Sequence, residues 1–226
     1  IPTLSLLLIS ACAARSPRYP GPLAAVGRDA PAVSAPISSP EVNEETPVPA
    51  EDAVASKRQR RVGSAIVTAA NHYLDHRPKG FRDDCSGFVC ASVTRAGLPL
   101  EGNTQSMWEW AEERGITHHK KVARPGDLVF FDNTYDRNRN GKWDDPLSHV
   151  AIVIEVRQDG TMVLAHGGTS KGRTTMTMNL KDPDDTATNS YLRWKKSGDK
   201  KSYKYLSGQL WRGFATVVVD ETDLAG

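Results

Sequence analysis

The chain has 226 residues, 38% of them hydrophobic and 25% charged, with a formal net charge of +2. That length allows one folded core with appendages, and the near-balanced charge leaves no electrostatic footprint for a nucleic-acid partner. Three cysteines, Cys12, Cys85 and Cys90, are too few for a disulfide framework; Cys85 and Cys90, five apart on a predicted helix, point to different faces, so no disulfide is expected.

An apolar run from Leu4 to Ile9 ends in small residues and Cys12. It is too short for a stable membrane-spanning helix and reads as a signal-peptide core. Ile9-Ser10-Ala11-Cys12 resembles the bacterial lipoprotein signal, so residues 1–12 read as part of such a signal; a plain secretion signal with an incidental cysteine is the alternative. The resemblance implies a lipidated Cys12 that tethers the protein to a membrane, and Ala13 in place of an aspartate implies the outer membrane, facing the periplasm. Residues 13–56 are rich in Pro, Ala, Ser and acidic side chains with no hydrophobic period, which predicts a disordered tether. At about 3.1 Å per residue it could reach roughly 130 Å.

The folded domain is expected over 57–222, entered through the solvated basic cluster Lys57-Arg58-Gln59-Arg60-Arg61. Helical spacing of Val62, Ile66, Ala69, Ala70, Tyr73 and Leu74 predicts a helix over 62–75. A second is predicted over 85–96, with Asp84 as N-cap and Gly97 as its stop, and a third over 105–114. Strands are predicted at 128–131, 149–156, 162–166, about 174–180 and 211–219. Helices first and about five strands after predict an α+β fold.

Asp83-Asp84-Cys85-Ser86-Gly87-Phe88-Val89 puts a cysteine on the first turn of a helix, where free N–H groups and the positive end of the macrodipole favour thiolate. Asp84 opposes that charge, so a nearby imidazole is required; the bland alternative is a small residue filling a crowded helix entry. Three stretches occur in order: DCSGFV, then Arg124-Pro125-Gly126-Asp127-Leu128-Val129-Phe130-Phe131, then Ser148-His149-Val150-Ala151-Ile152-Val153. Together they resemble the NlpC family of cell-wall cysteine endopeptidases, over about residues 62 to 170. The resemblance implies a papain-like core, its N-terminal helices packed on an antiparallel sheet. It also implies Cys85 as nucleophile, His149 as general base and His166 as the group orienting that base. Tyr73, twelve residues before Cys85, takes the offset of a family tyrosine near the oxyanion site; packing along its own helix is its alternative. The chain departs from the family's usual Trp-Gly-Gly between that tyrosine and the nucleophile, having Leu74-Asp75-His76-Arg77-Pro78-Lys79-Gly80 instead. His76, His118 and His119 match no motif and read as solvated.

Strand alternation puts His149, Ala151 and Val153 on one face and Val150, Ile152 and Ile154 on the other, a catalytic face and a buried face. A four-residue loop Arg157-Gln158-Asp159-Gly160 would pair Val156 with Thr161. His166 then falls opposite Ala151, diagonal to His149 and about 7–8 Å from it across the backbone, within side-chain reach.

An insertion at 133–146 carries Asp136, Asn138, Asn140, Lys142, Asp144 and Asp145, oxygen donors at alternate positions around Gly141. This is calcium-loop spacing, with Lys142 offering its carbonyl, although Leu147 stands where an EF-hand has glutamate. A polar turn rich in Asx caps is the alternative. No cofactor is expected for the chemistry itself; calcium would be structural. Trp108 is expected in the core, whereas Trp110, Tyr135 and Trp143 could line a groove. Residues 181–205 read as a surface excursion near the cleft mouth.

The resulting expectation is a monomeric peptidoglycan hydrolase cutting stem-peptide bonds. An amidase or acyltransferase using the same Cys–His pair, and a non-catalytic calcium-binding wall lipoprotein, are the alternatives.

Overall fold

The computed structural model describes residues 50–195 and 197–217. The expected signal, Cys12 and the tether up to 49 lie outside them. Helix α1 covers Ala50–Asp75, α2 Cys85–Arg95 and α3 Thr104–Glu113. Strands β1 (Thr117–His118), β2 (Leu128–Phe131), β3 (His149–Val156), β4 (Met162–Thr169) and β5 (Gly172–Met178) follow, then the single turn α4 (Ser207–Leu210) and β6 (Trp211–Ala215). The sheet runs β1-β6-β2-β3-β4-β5, every pairing antiparallel. This is the expected α+β architecture with one more strand, since β1 is too short to carry a period in sequence.

The first helix begins at Ala50, where the sequence pattern had placed tether until 56. The alanine-containing segment after Pro49 has good helix propensity in sequence without an apolar stripe. Such a helix is invisible to a search for hydrophobic periodicity. Gln59 then ties α1 to the last described residue, its Nε2 donating to the Val217 carbonyl at 2.7 Å.

Gly87 and three β-branched residues make α2 a poor helix in isolation, so its ends and its packing must hold it. Asp84 caps it, accepting from the Gly87 N–H at 2.7 Å, and Gly97, at φ +93°, ends it. Phe88, Val89 and Val93 are buried against Ile66 and Ala70 of α1 and against Val150, Ile152 and Ala165 of the sheet. Truncating Phe88 to alanine would cost about 3–5 kcal/mol by the usual cavity effect.

Both faces of the sheet are covered. On the side away from the helices, Val129, Phe131, Ala151, Val153, Leu164, Met178 and Phe214 form a second apolar cluster with Leu180, Leu192 and Leu210. The face expected to be open and catalytic is therefore also core. Part of its cover comes from the segment after β5: most described residues of 181–205 are exposed, as a surface excursion would be, but Asn189, Leu192 and Arg193 turn inward. Asn189 is buried there, its Oδ1 accepting from the Asn179 and Gly208 N–H groups. His118 is likewise not solvated, lying beside Phe214 with Nε2 3.3 Å from Thr216 Oγ1.

Candidate functional site

Cys85 stands at the start of α2, pressed against the beginning of β3 and a bulge in β4. The ladder between β4 and β5 breaks between His166 and Thr169, and Gly168 in that break has φ +70°. A Cβ added to Gly168 would lie 2.7 Å from the Cys85 nitrogen and 3.0 Å from the Asp84 Cα. The two glycines after His166 thus provide the space in which the helix start is seated.

Cys85 is half-buried. Burial pushes its thiol above the ordinary cysteine range; the Val150 N–H works the other way, Asp84 adds to the rise, and Thr104 and the Ser86 N–H favour thiolate. Asp84 is held close by Ser86 Oγ at 2.9 Å and Arg82 Nε at 3.3 Å. The expectation that Asp84 opposes thiolate agrees with these fields. Thr104 Oγ1 lies 4.0 Å from Cys85 Sγ.

His149 Nε2 and His166 Nδ1 are 2.8 Å apart, with the rings nearly perpendicular at 86°. They are 8% and 4% exposed. Burial, then the charge of His166, drives His149 down to about 3, and burial drives His166 down to about 4. The free site therefore holds two neutral imidazoles. Because Nε2 of His149 is engaged, its Nδ1 is the atom left to face a thiol. Among the described residues no hydrogen bond joins Cys85 Sγ to either ring; such contacts commonly tighten only when substrate binds.

Tyr73 is not brought into a hydrogen bond with any of these groups. It packs partly buried against the helix-side core, His72 edge-on to its ring and the Arg95 guanidinium 5.7 Å from the ring centre. Its hydroxyl makes no hydrogen bond among the described residues, so its placement follows the packing alternative.

The 136–145 loop closes on its own amides. Asp136 accepts from the Asn140 and Gly141 N–H groups at 3.1 and 2.9 Å, Asn138 from Asn140 at 3.0 Å, and Asn140 Oδ1 from the Lys142 N–H at 2.7 Å. Asp144 accepts from the Asn140 side-chain amide at 3.1 Å. Asp145 is 2% exposed and turned to Arg137, accepting from its N–H at 3.0 Å, so it departs from the expected ligand set. Among the described residues, no three His, Cys, Asp or Glu side chains converge in a metal-binding group. Single amide bonds leave the second lone pairs of Asp136, Asn138 and Asn140 for a cation, so the donor chemistry of the loop still fits calcium at those positions.

Cys90 is buried, its thiol pushed up to about 11 by burial, and neither described cysteine is in a disulfide. Trp108 is core, as expected. Two neighbours of Cys85 complete the surroundings: Thr104, which carried no usable signal, reaches it from another helix, and Tyr135, a groove candidate from the sequence and half-exposed, has its hydroxyl within the electrostatic field of the sulfur.

A cysteine at a helix start beside a buried histidine pair on an antiparallel sheet has the makings of a thiol hydrolase site. Residues 77–168 match the family model of the CHAP domain, a cysteine/histidine-dependent amidohydrolase/peptidase. That match, over less than half of the chain, agrees with the resemblance carried by the three motifs and points to a hydrolase of the amidase or peptidase kind. No curated protein matches the chain. A solved structure of a Staphylococcus aureus subsp. aureus Mu50 protein, described as similar to lipoprotein, NLP/P60 family, is 21% identical with a TM-score of 0.40. The alignment covers 70% of this chain and 42% of that one, so the chain spans less than half of that structure's length.

Proposed function

We propose that the protein is a peptidoglycan hydrolase that cuts stem-peptide bonds, with Cys85 as nucleophile, His149 as general base and His166 as the group that orients it. The observation that carries this reading is the buried His149–His166 hydrogen bond at the start of β3, next to the Val150 backbone that borders the Cys85 sulfur.

The chemistry needs one of the two tautomers that this contact allows. In it His149 donates from Nε2–H to Nδ1 of His166, which leaves His149 Nδ1 unprotonated and able to accept the thiol proton. Burial disfavours both thiolate and imidazolium when each forms alone. Formed together, each supplies the counter-charge that the other lacks. The proton therefore leaves Sγ for His149 as sulfur attacks the peptide carbonyl, rather than in a standing ion pair. The imidazolium then returns the proton to the leaving amine, and water releases the acyl group from sulfur.

The amidohydrolase half of the CHAP description favours a second reading, in which the same pair cleaves the amide linking the stem peptide to the lactyl group. Digesting purified murein with the native chain and with Cys85→Ala, then weighing the fragments, separates the two. New amino groups within stem peptides, lost in the variant, support the peptidase; release of whole stem peptides from lactyl groups supports the amidase; identical digests support neither and favour a non-catalytic wall protein.

Two further elements belong to the proposal. Lipidation of Cys12, with an outer-membrane anchor facing the periplasm, rests on the sequence signal, and metabolic labelling with palmitate in wild type and Cys12→Ser tests it. A calcium ion held by Asp136, Asn138, Asn140, the Lys142 carbonyl and Asp144 would be structural, bracing the loop that leads into His149.

A further inference from the structure

A cavity of about 480 Å³ opens where β2 ends, lined by Asp132, Asn133, Trp143, Arg193, Tyr203 and Trp211, among others. Asp132 directly follows Phe131, the cross-strand partner of His149. The cavity therefore lies at the end of the sheet that carries the proposed base.

Arg193 is 4% exposed. Its guanidinium carbon lies 3.3 Å from the centre of the Trp143 ring, with the Tyr205 and Tyr203 rings at 5.3 and 5.6 Å. These aromatic faces attract the cation and hold it in place, but they offer no hydrogen-bond acceptor in the guanidinium plane. Nε and Nη2, the two donors along one edge of that plane, are buried and have no hydrogen-bond partner among the described residues.

The nearby acids are committed elsewhere. Asp132 pairs with Arg212 at 3.2 Å and accepts from the Leu147 N–H at 2.8 Å. Asp144 accepts from Asn140, and Asp199 accepts from the Tyr205 hydroxyl at 2.9 Å. Lys142 and Lys204 add positive charge to the same cavity. Buried charged donors are nearly always paired, and two parallel N–H groups match the two oxygens of a carboxylate.

We infer that this cavity is a carboxylate-recognition subsite: Arg193, through Nε and Nη2, binds a carboxylate of the acidic peptide that Cys85 cleaves. The identity of the ligand rests on the peptidase reading; the carboxylate chemistry rests on the surroundings of Arg193. Trp143 belongs to the insertion before His149, so the insertion contributes one wall of a substrate site.

The test uses the full chain carrying Cys85→Ala, which binds without turnover. Its Arg193 Nε–H resonance is followed while three probes are added: an N-acetylated dipeptide with a free glutamate α-carboxylate, the same dipeptide as the carboxamide, and inorganic phosphate. The acid should move the resonance and bind at least about tenfold more tightly than the amide, as expected for loss of a charge-assisted bidentate pair. Arg193→Lys assigns the signal and should abolish the preference; should that variant not fold, the acid-to-amide comparison stands without it. Equal binding of acid and amide, or a response to phosphate alone, overturns the subsite. The peptidase reading is judged separately by murein digestion with the wild type. Hydrolysis without acid preference sinks only the subsite, whereas carboxylate binding by a protein that does not cut murein sinks the substrate assignment.

Discussion

His149 Nε2 and His166 Nδ1 meet at 2.8 Å, joining the first residue of β3 to the middle of β4. In the proposed mechanism the bond orients His149 as the base and leaves its Nδ1 for the thiol. Removing His149 should lower the hydrolysis rate by about 10²–10⁴, the usual range for a lost general base. His166→Ala should lower it less, and His166→Gln, whose amide oxygen can still accept from Nε2–H, should recover part of that loss. Steady-state rates on murein for the three variants check this order. Full activity in His166→Ala would remove His166 from the mechanism.

The same pair makes folding sensitive to acid. In the fold, His149 titrates at about 3 and His166 at about 4, whereas in the unfolded chain both should titrate near about 6.5. Between those limits the unfolded state binds more protons, so stability rises with pH there and falls on acidification, by up to about 1.4 kcal/mol per pH unit for each ring. Melting temperature should drop between pH 7 and pH 5, and less steeply in His166→Gln. A wild-type melting temperature that does not change over this range would contradict the buried neutral pair.

Gly168 and Gly172 offer a matched comparison. Both have positive φ, +70° and +75°, so alanine strains the backbone similarly at each, by about 1–2 kcal/mol. Only at Gly168 would the new Cβ strike the start of α2; at Gly172 nothing lies within 4 Å. Gly168→Ala should therefore lower the murein hydrolysis rate by an order of magnitude or more through displacement of Cys85, while Gly172→Ala keeps the rate at a similar melting temperature. Equal rates would show that the glycine seat does not position the nucleophile.

Much of the candidate site's geometry was legible because motifs and strand alternation survive in one dimension. The register shows both the reach and the limit of such reading. Val156 pairs with Met162, not Thr161, which shifts the hairpin by one residue; an irregularity between Val153 and Glu155 shifts it back, so that Ile152 faces Ala165. Continued one residue further, that ladder sets His166 opposite Ala151, the register expected from a four-residue loop, although the connection between Val156 and Met162 runs from Arg157 to Thr161. A bulge carries no compositional mark, so only the sum of the two shifts could be inferred. Other features needed three dimensions. The second core, made mostly of sheet residues, is edged by a polar segment whose buried groups, such as Asn189, are satisfied by distant backbone. Arg193 becomes notable only when Trp143 from one stretch and Tyr203 and Tyr205 from another gather around it. Tyr73 shows the converse, a family offset whose ring is occupied by Arg95.

Calcium should stabilise the domain if the 136–145 loop binds it. Occupancy at about 100 times the dissociation constant adds about 2.7 kcal/mol, visible as a raised melting temperature and as heat in a calorimetric titration. Asp136→Ala should abolish both, and Asp145→Ala should lower stability without changing calcium affinity, since its carboxylate serves Arg137. Neither heat nor a melting shift in the wild type would leave the loop as an Asx-capped turn.

The central claim is that Cys85, and not the other described cysteine, is the nucleophile. The direct measurement is the rate of amino-group release from murein by the wild type, Cys85→Ala and Cys90→Ala, with circular dichroism confirming that each is folded. Cys90→Ala should retain activity, because that thiol is buried and pushed up to about 11, while Cys85→Ala should lose about 10³-fold or more, as expected when the covalent route is removed. Release by Cys85→Ala at the wild-type rate would contradict the account.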